Sequence, residues 1–244
     1  MTRIFQDNAH VFPTYNAMSR AAAQHVAANI ETVLTGQDRY ALALAGGSTP
    51  EGTHEMLASG FPRLPWKRVD VYWGDERFVP PSSPMSNERM ARRTLLSDIN
   101  IPSANVHPIP TDAGSPDAAA EQYETLLKEA FGDRDHTFDL VLLGLGGDGH
   151  TASLFPEDDP SLSDDTWVRA VTAPPRHDVR DRITCTLSIL NAAREAVFLV
   201  SGESKRDAVR RIFSGVLSLP AARIAPRNNL TWFIDEAAGA DVAH

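Results

Sequence analysis

Short apolar runs recur along this chain, and a helical stretch separates most of them from the next. They are YALALA (40–45), VDVYW (69–73), FDLVLL (138–143), AVFLV (196–200) and LTWFI (230–234). Several are apolar on both faces. A run of that kind has no side to turn toward water, so it must be covered above and below. That is the situation of a strand in a parallel sheet held between helices. The segments between the runs supply the helices. From Pro13 to Thr35, the residues Met18, Ala22, Val26, Ile30 and Val33 are spaced by four, four, four and three, which places them on one helical face. Pro50–Ser59, SNERMARRTLLSDI (86–99) and ESKRDAVRRIFSG, stopped by Gly215, read as further helices. Ser115 caps a helix that opens at Pro116 and runs to about Phe131. WVRAVT (167–172) and ITCTL (183–187) add strands, and the stretch 167–200 is expected to hold a small antiparallel subregion. The predicted fold is α/β: an open, mostly parallel, Rossmann-like sheet covered by helices on both faces, with a small additional β subregion, in one domain spanning 1–244.

Charge narrows the range of partners. Lys and Arg number 23 against 32 Asp and Glu, a formal charge of -9. Such a balance opposes nucleic acid or an anionic membrane over a broad face, while a small anion can still bind where donors cluster. No apolar run approaches the roughly 20 residues of a membrane span. The opening MTRIFQDNAHVF lacks the apolar core of a signal peptide. The only cysteine, Cys185, alternates with Ile183 and Leu187 on what reads as a buried strand face, and a single thiol offers neither a disulfide nor a cysteine metal cluster. The expectation is a cytoplasmic protein, a monomer or weak homodimer, acting on a small molecule.

In an open parallel sheet, ligands bind beyond the carboxyl ends of the strands. Three polar loops occupy such positions. The first, AGGSTPEG (45–52), pairs Gly46 and Gly47 with the hydroxyls of Ser48 and Thr49. Thr49 as N-cap and Pro50 as first helical residue would aim a helix N-terminus at an anion, although an ordinary strand–helix turn has the same composition. The second, WGDERFVPPSSPMSNERMAR (73–92), sets Asp75, Glu76 and Arg77 at a strand's end, where charges must be solvated, paired or used on a ligand. The third, GLGGDGHTASLFP (144–156), matches the dinucleotide fingerprint G-x-G-x-x-G. A dinucleotide loop must lead into a full helix and a second parallel strand. Here Pro156 arrives seven residues after Gly149, Pro160 follows, and the acidic pair Asp164–Asp165 sits in a polar loop. The match is therefore coincidental, and the glycines serve a tight turn that projects Asp148 and His150. His150 is the best general-base candidate in the chain, with Asp148 placed to orient it. No second His or Cys stands at ligand spacing from it, so no metal is expected. Lys205, near a helix N-terminus in SGESKRDA, opposes the helix dipole and suggests service to a ligand.

Taken together, GGSTP, GDER, GLGGDGHTASLFP, RIT and SGESK stand in an order and approximate spacing that resemble the 6-phosphogluconolactonases, from about Tyr40 to Ser214. The resemblance implies hydrolysis of 6-phospho-D-glucono-1,5-lactone to 6-phosphogluconate, the second step of the oxidative pentose phosphate pathway, without a cofactor. It implies a fold like those of glucosamine-6-phosphate deaminase and ribose-5-phosphate isomerase. Carried over by position, His150 is the catalytic base with Asp148 beside it. Gly47, Ser48 and Thr49 form the phosphate-side loop, Arg182 and Lys205 engage the 6-phosphate, and Asp75 and Arg77 lie at the sugar. Asn87 matches the Asn of a Ser-Asn pair. RHDVRD before Arg182 and the PPSSPM loop depart from the pattern, so Arg176, Arg180 and Arg182 all stand as candidates for the phosphate, and RIT favours Arg182. A deaminase would carry Glu five residues after the loop His, where this chain has Phe155, and Asp-Glu-Tyr in place of Asp75-Glu76-Arg77. A sugar-phosphate-sensing regulator on the same fold would bring a DNA-binding helix-turn-helix, for which this acidic chain offers no segment.

Overall fold

A computed structural model of the chain describes residues 8–132, 134–157 and 166–241; Pro160, Asp164 and Asp165 lie outside them. The apolar runs become strands, and their burial follows from their composition. β1 (Ala9–Phe12), β2 (Tyr40–Leu44), β3 (Val69–Trp73), β5 (Leu140–Gly144), β8 (Glu195–Val200) and β9 (Asn229–Asp235) form one sheet in the order β1-β9-β8-β5-β2-β3. Every pairing in it is parallel. All five residues of β2 are buried, as are Leu140–Leu143 and Ala196–Val200, so the centre of the sheet is covered on both sides. β1 has no counterpart among the predicted strands. Its four residues, AHVF, are too few to show a period, and only pairing with β9 makes them a strand.

The main helices are α1 (Tyr15–Val33), α2 (Ser48–Gly60), α3 (Asn87–Ala91), α4 (Pro116–Phe131), α5 (Leu187–Asn191), α6 (Arg206–Phe213) and α7 (Glu236–Gly239). Thr14 caps α1 by accepting from the Ala17 amide, and Met18, Ala22, Val26 and Ile30 are buried along its inner face. Ser115 caps α4 with Pro116 in its first turn, as expected from the sequence. Two predicted helices differ in detail. The one expected over 86–99 is α3 followed by a wider π turn, Arg92–Leu96. The one expected from Glu203 opens with a 3-10 turn, Glu203–Lys205, before α6.

A second sheet, antiparallel, runs β4-β7-β6, from β4 (Asp75–Arg77), β7 (Asp181–Cys185) and β6 (Val168–Thr172). Of the strands expected between 167 and 200, β6 and β7 belong here and β8 joins the parallel sheet. The predicted strand ITCTL ends at Cys185, and Leu187 opens α5 instead. Cys185 is fully buried. Among the described residues no helix is long and apolar enough to cross a membrane.

The strand order also fixes where a ligand can enter. After β2 the chain moves outward to β3 on one side, and after β5 it moves to β8 and β9 on the other. The carboxyl ends of β2 and β5 therefore flank a topological switch point, where an open parallel sheet leaves a crevice.

Candidate active site

That crevice is a cleft lined by Gly46, Gly47, Ser48, Thr49, Asp75, Arg77, Asn87, His150, Arg182 and Lys205, with the ends of β2 and β5 as its floor. The first wall is the start of α2. The helix begins at Ser48 and its N-cap is Gly47, not Thr49 as the sequence suggested. Gly47 holds φ +95, a left-handed conformation that suits only glycine without strain. It brings no side chain to cap the first amides, and these remain available to an anion at the positive end of the helix. Tyr15 steadies this turn. Its hydroxyl donates to the Ser48 carbonyl at 2.9 Å and accepts from the Gly52 amide at 2.8 Å. Gly46 is small because it must be: a Cβ there would lie 1.9 Å from Oδ1 of Asn87.

The second wall is the antiparallel sheet, and it separates the three charges of the Asp75-Glu76-Arg77 turn. Glu76 is buried and structural. Its carboxylate accepts from the amides of Arg77, Asn87 and Glu88 at 2.7–2.8 Å and from the Ser86 hydroxyl. Burial raises the Glu76 carboxyl above its ordinary range, and these amides oppose the rise. Asp75 points into the cleft, receives the Ser153 hydroxyl at 2.6 Å and holds the Asn87 amide. Arg77 and Arg182 sit directly opposite each other across β4 and β7. Neither forms an ion pair among the described residues. The Arg77 guanidinium donates to the Met85 carbonyl and that of Arg182 to the Val179 carbonyl. Burial lowers the basicity of Arg182. Two arginines opposed on a ladder, one of them buried, repel each other, and the nearby carboxylates of Asp75 and Glu76 offset part of that at Arg182. Lys205, at the N-cap of α6, adds a third positive charge.

The third wall is the glycine loop after β5. It runs into an isolated Thr151–Leu154 bridge rather than a helix. Nδ1 of His150 lies 2.6 Å from Oδ1 of Asp148, and the same oxygen accepts from the His150 amide at 3.1 Å. Although burial opposes it, the hydrogen bond and charge of His150, with Arg176, hold the Asp148 carboxyl far below the usual carboxylate range. An ionised carboxylate only accepts, so Nδ1 carries the ring proton it shares with Asp148, and in the neutral imidazole Nε2 is the basic nitrogen. Gly146 makes room for this pair: a Cβ there would sit 2.1 Å from Nδ1 of His150 and 2.5 Å from Oδ1 of Asp148. Phe155, buried, sets its ring centroid 4.9 Å from that of the imidazole, so a hydrocarbon face borders His150.

The three candidate arginines part company here. Arg182 lines the cleft. Arg176 bonds Asp148 and Glu157, and Arg180 is exposed and donates to the Ala173 carbonyl. Among the described residues one trio, Asp148, His150 and His177, brings metal-ligating atoms within 4.8 Å of one another. Both oxygens of Asp148 already accept hydrogen bonds, one from the Arg176 cation, which disfavours a second cation at that carboxylate. Tyr15 escaped the sequence reading because it reaches the site from α1 with no motif around it; Ser153 lies inside the glycine-loop motif but was given no role there, and Arg176, a candidate for the phosphate, bonds Asp148 instead.

Fold and cleft together describe an α/β protein with a cation-lined pocket at the switch point of its sheet. Comparison with known proteins narrows that class. The chain belongs to the glucosamine-6-phosphate isomerase/6-phosphogluconolactonase family, whose model matches residues 13–232. A 6-phosphogluconolactonase of Nostoc is 38% identical over 239 residues, covering 96% of this chain and 97% of the relative. One of Synechocystis is 42% identical over 220 residues, covering 88% and 89%. The crystal structure of 6-phosphogluconolactonase from Thermotoga maritima, 31% identical, superposes with a TM-score of 0.82 over 93% of this chain and 99% of that one.

Proposed function

We propose that this chain hydrolyses 6-phospho-D-glucono-1,5-lactone to 6-phospho-D-gluconate, with His150 as the general base. The observation that carries the reading is the arrangement of one cleft. An imidazole whose Nδ1 is occupied by an ionised carboxylate shares the cleft with three cations that form no ion pair among the described residues and a helix N-terminus lacking a side-chain cap. Nε2 of His150 takes a proton from water as the oxygen attacks C1, and Asp148 stabilises the imidazolium that forms. The carbonyl oxygen becomes an oxyanion, for which Arg77 or nearby amides are the donors. Collapse of the intermediate breaks the bond from C1 to the ring oxygen, which takes the proton back from Nε2. The phosphate, remote from C1, binds Arg182, Lys205 and the first amides of α2 and holds the ring in place. Asp75 and Asn87 face the sugar.

The test is acid release from freshly made lactone, corrected for spontaneous hydrolysis, in the parent and in His150→Asn. The variant is expected to lose roughly 10²–10⁴-fold in kcat while still binding 6-phosphogluconate, because the phosphate contacts lie on other segments. A folded His150→Asn with near-normal kcat would remove His150 from the role, and Asp75 would be the next base to examine.

A further inference from the structure

The loop joining β6 to β7 contains RHDVRD, the stretch that departs from the family pattern, and it reaches His150 from behind. Its neck is closed by the Ala173 amide donating to the Arg180 carbonyl at 2.7 Å and by Arg180 Nε donating to the Ala173 carbonyl at 3.0 Å. Within it, Arg176 donates one Nη to Oδ2 of Asp148 and the other to Oε1 of Glu157 at 2.8 Å. The opposite oxygen of Asp148 serves His150. Each carboxylate oxygen thus has its own donor, and the carboxylate cannot turn without breaking one contact. The next residue, His177, sets its ring 5.4 Å from that of His150 and 5.0 Å from Phe155. Burial, and then the charge of His150, lowers the His177 pKa.

We infer that Arg176 is a positioning residue: through Asp148 it fixes the orientation of His150 and limits how strongly the carboxylate holds the imidazole proton. The proposal rests on His150 being the general base. An exposed ion pair alone is worth little. This one differs because a planar guanidinium bridges two carboxylates, one of which is in contact with the base. The charged groups around His150 are Asp148 on its own loop, Arg176 and His177 on the β6–β7 loop, and Asp75, Arg77, Arg182 and Lys205 lining the same cleft. Of these cations only Arg176 touches Asp148. Without it the carboxylate charge is uncompensated and the protonated imidazole is favoured, so more of the base is disabled at a given pH.

Arg176→Met and Arg176→Lys are compared with the parent and His150→Asn, all as full chains. Arg176→Met is expected to lose about tenfold in kcat, as a misplaced base should, with KM within about twofold and the acid limb of kcat/KM moved to higher pH. Arg176→Lys keeps the charge, so the acid limb should return toward the parent's position. A merely structural arginine would lower Tm and leave the limb where it was. An unchanged kcat and acid limb in Arg176→Met, with His150→Asn inactive, overturns this proposal alone. So does a raised KM at constant kcat, which would make Arg176 a substrate contact. An active His150→Asn overturns the general-base reading itself, whatever Arg176 does.

Discussion

Replacing Gly146 by Ala should damage catalysis much more than the added methyl group suggests. The new Cβ would stand 2.1 Å from Nδ1 and 2.3 Å from Cε1 of His150, and 2.5 Å from Oδ1 of Asp148, where ordinary contact begins at 3.4 Å. The imidazole must therefore retreat by about 1.3 Å, or the loop must open by as much. Neither can happen while the 2.6 Å bond between His150 and Asp148 keeps its geometry. A displacement of about 1 Å in a reacting group costs on the order of 10²-fold in rate, and overpacking a fitted site costs roughly 1–3 kcal/mol of stability. Gly146 does not have positive φ, so the penalty is steric. The expected result is a folded protein with kcat down about 100-fold, a modestly lower Tm, and little change in KM because the cations and α2 are untouched. Initial rates of acid release, with the uncatalysed rate subtracted, measure this. Gly60→Ala is the control, since a Cβ there meets nothing within 4 Å. A kcat within threefold of the parent in Gly146→Ala would refute the idea that this glycine exists to seat the dyad.

Two further outcomes are expected. Arg182→Ala and Lys205→Ala should each raise KM about tenfold or more, since a lost charge-assisted hydrogen bond costs roughly 1.5–3 kcal/mol; normal KM in both variants would end the phosphate assignment. His54, fully buried on α2, has its pKa lowered by burial from 6.5 to about 4. Between those values the unfolded chain binds a proton that the folded one refuses, so stability should fall as pH drops through that window, by on the order of 3 kcal/mol at its lower end. Urea midpoints across the window should vary less in His54→Gln, and a parallel slope would exclude His54 as the cause.

The sequence was most legible where a residue's local pattern and its final surroundings coincide. β2, β5 and β8 have no polar face, so burial on both sides followed directly. Two caps were misread: Thr14 was passed over beside Pro13, and the cap expected at Thr49 falls on Gly47, whose left-handed backbone no local pattern announces. Charged segments were harder to read. Asp75-Glu76-Arg77 contains no apolar residue, yet it is a strand, because β7 pairs with it and α3 presents amides to Glu76. The motif order identified the residues lining the cleft, and Asp148 behind His150. Through RIT it favoured Arg182, which does line the cleft, but it could not place Arg176, because that depends on where a loop folds back: Arg176 turns to Asp148 while Arg182, six residues on, enters the cleft.

The opposed arginines of β4 and β7 carry a consequence for how this protein can change. Like charges facing each other on a ladder are destabilising, and a substrate that brings an oxyanion to Arg77 and a phosphate to Arg182 would relieve that repulsion. A neutral residue at Arg77 or Arg182 would accordingly make the ligand-free chain sturdier and the ligand weaker. Selection for heat resistance without substrate would drive the lineage toward robust, inactive descendants, whereas selection for turnover would keep the repulsion in place.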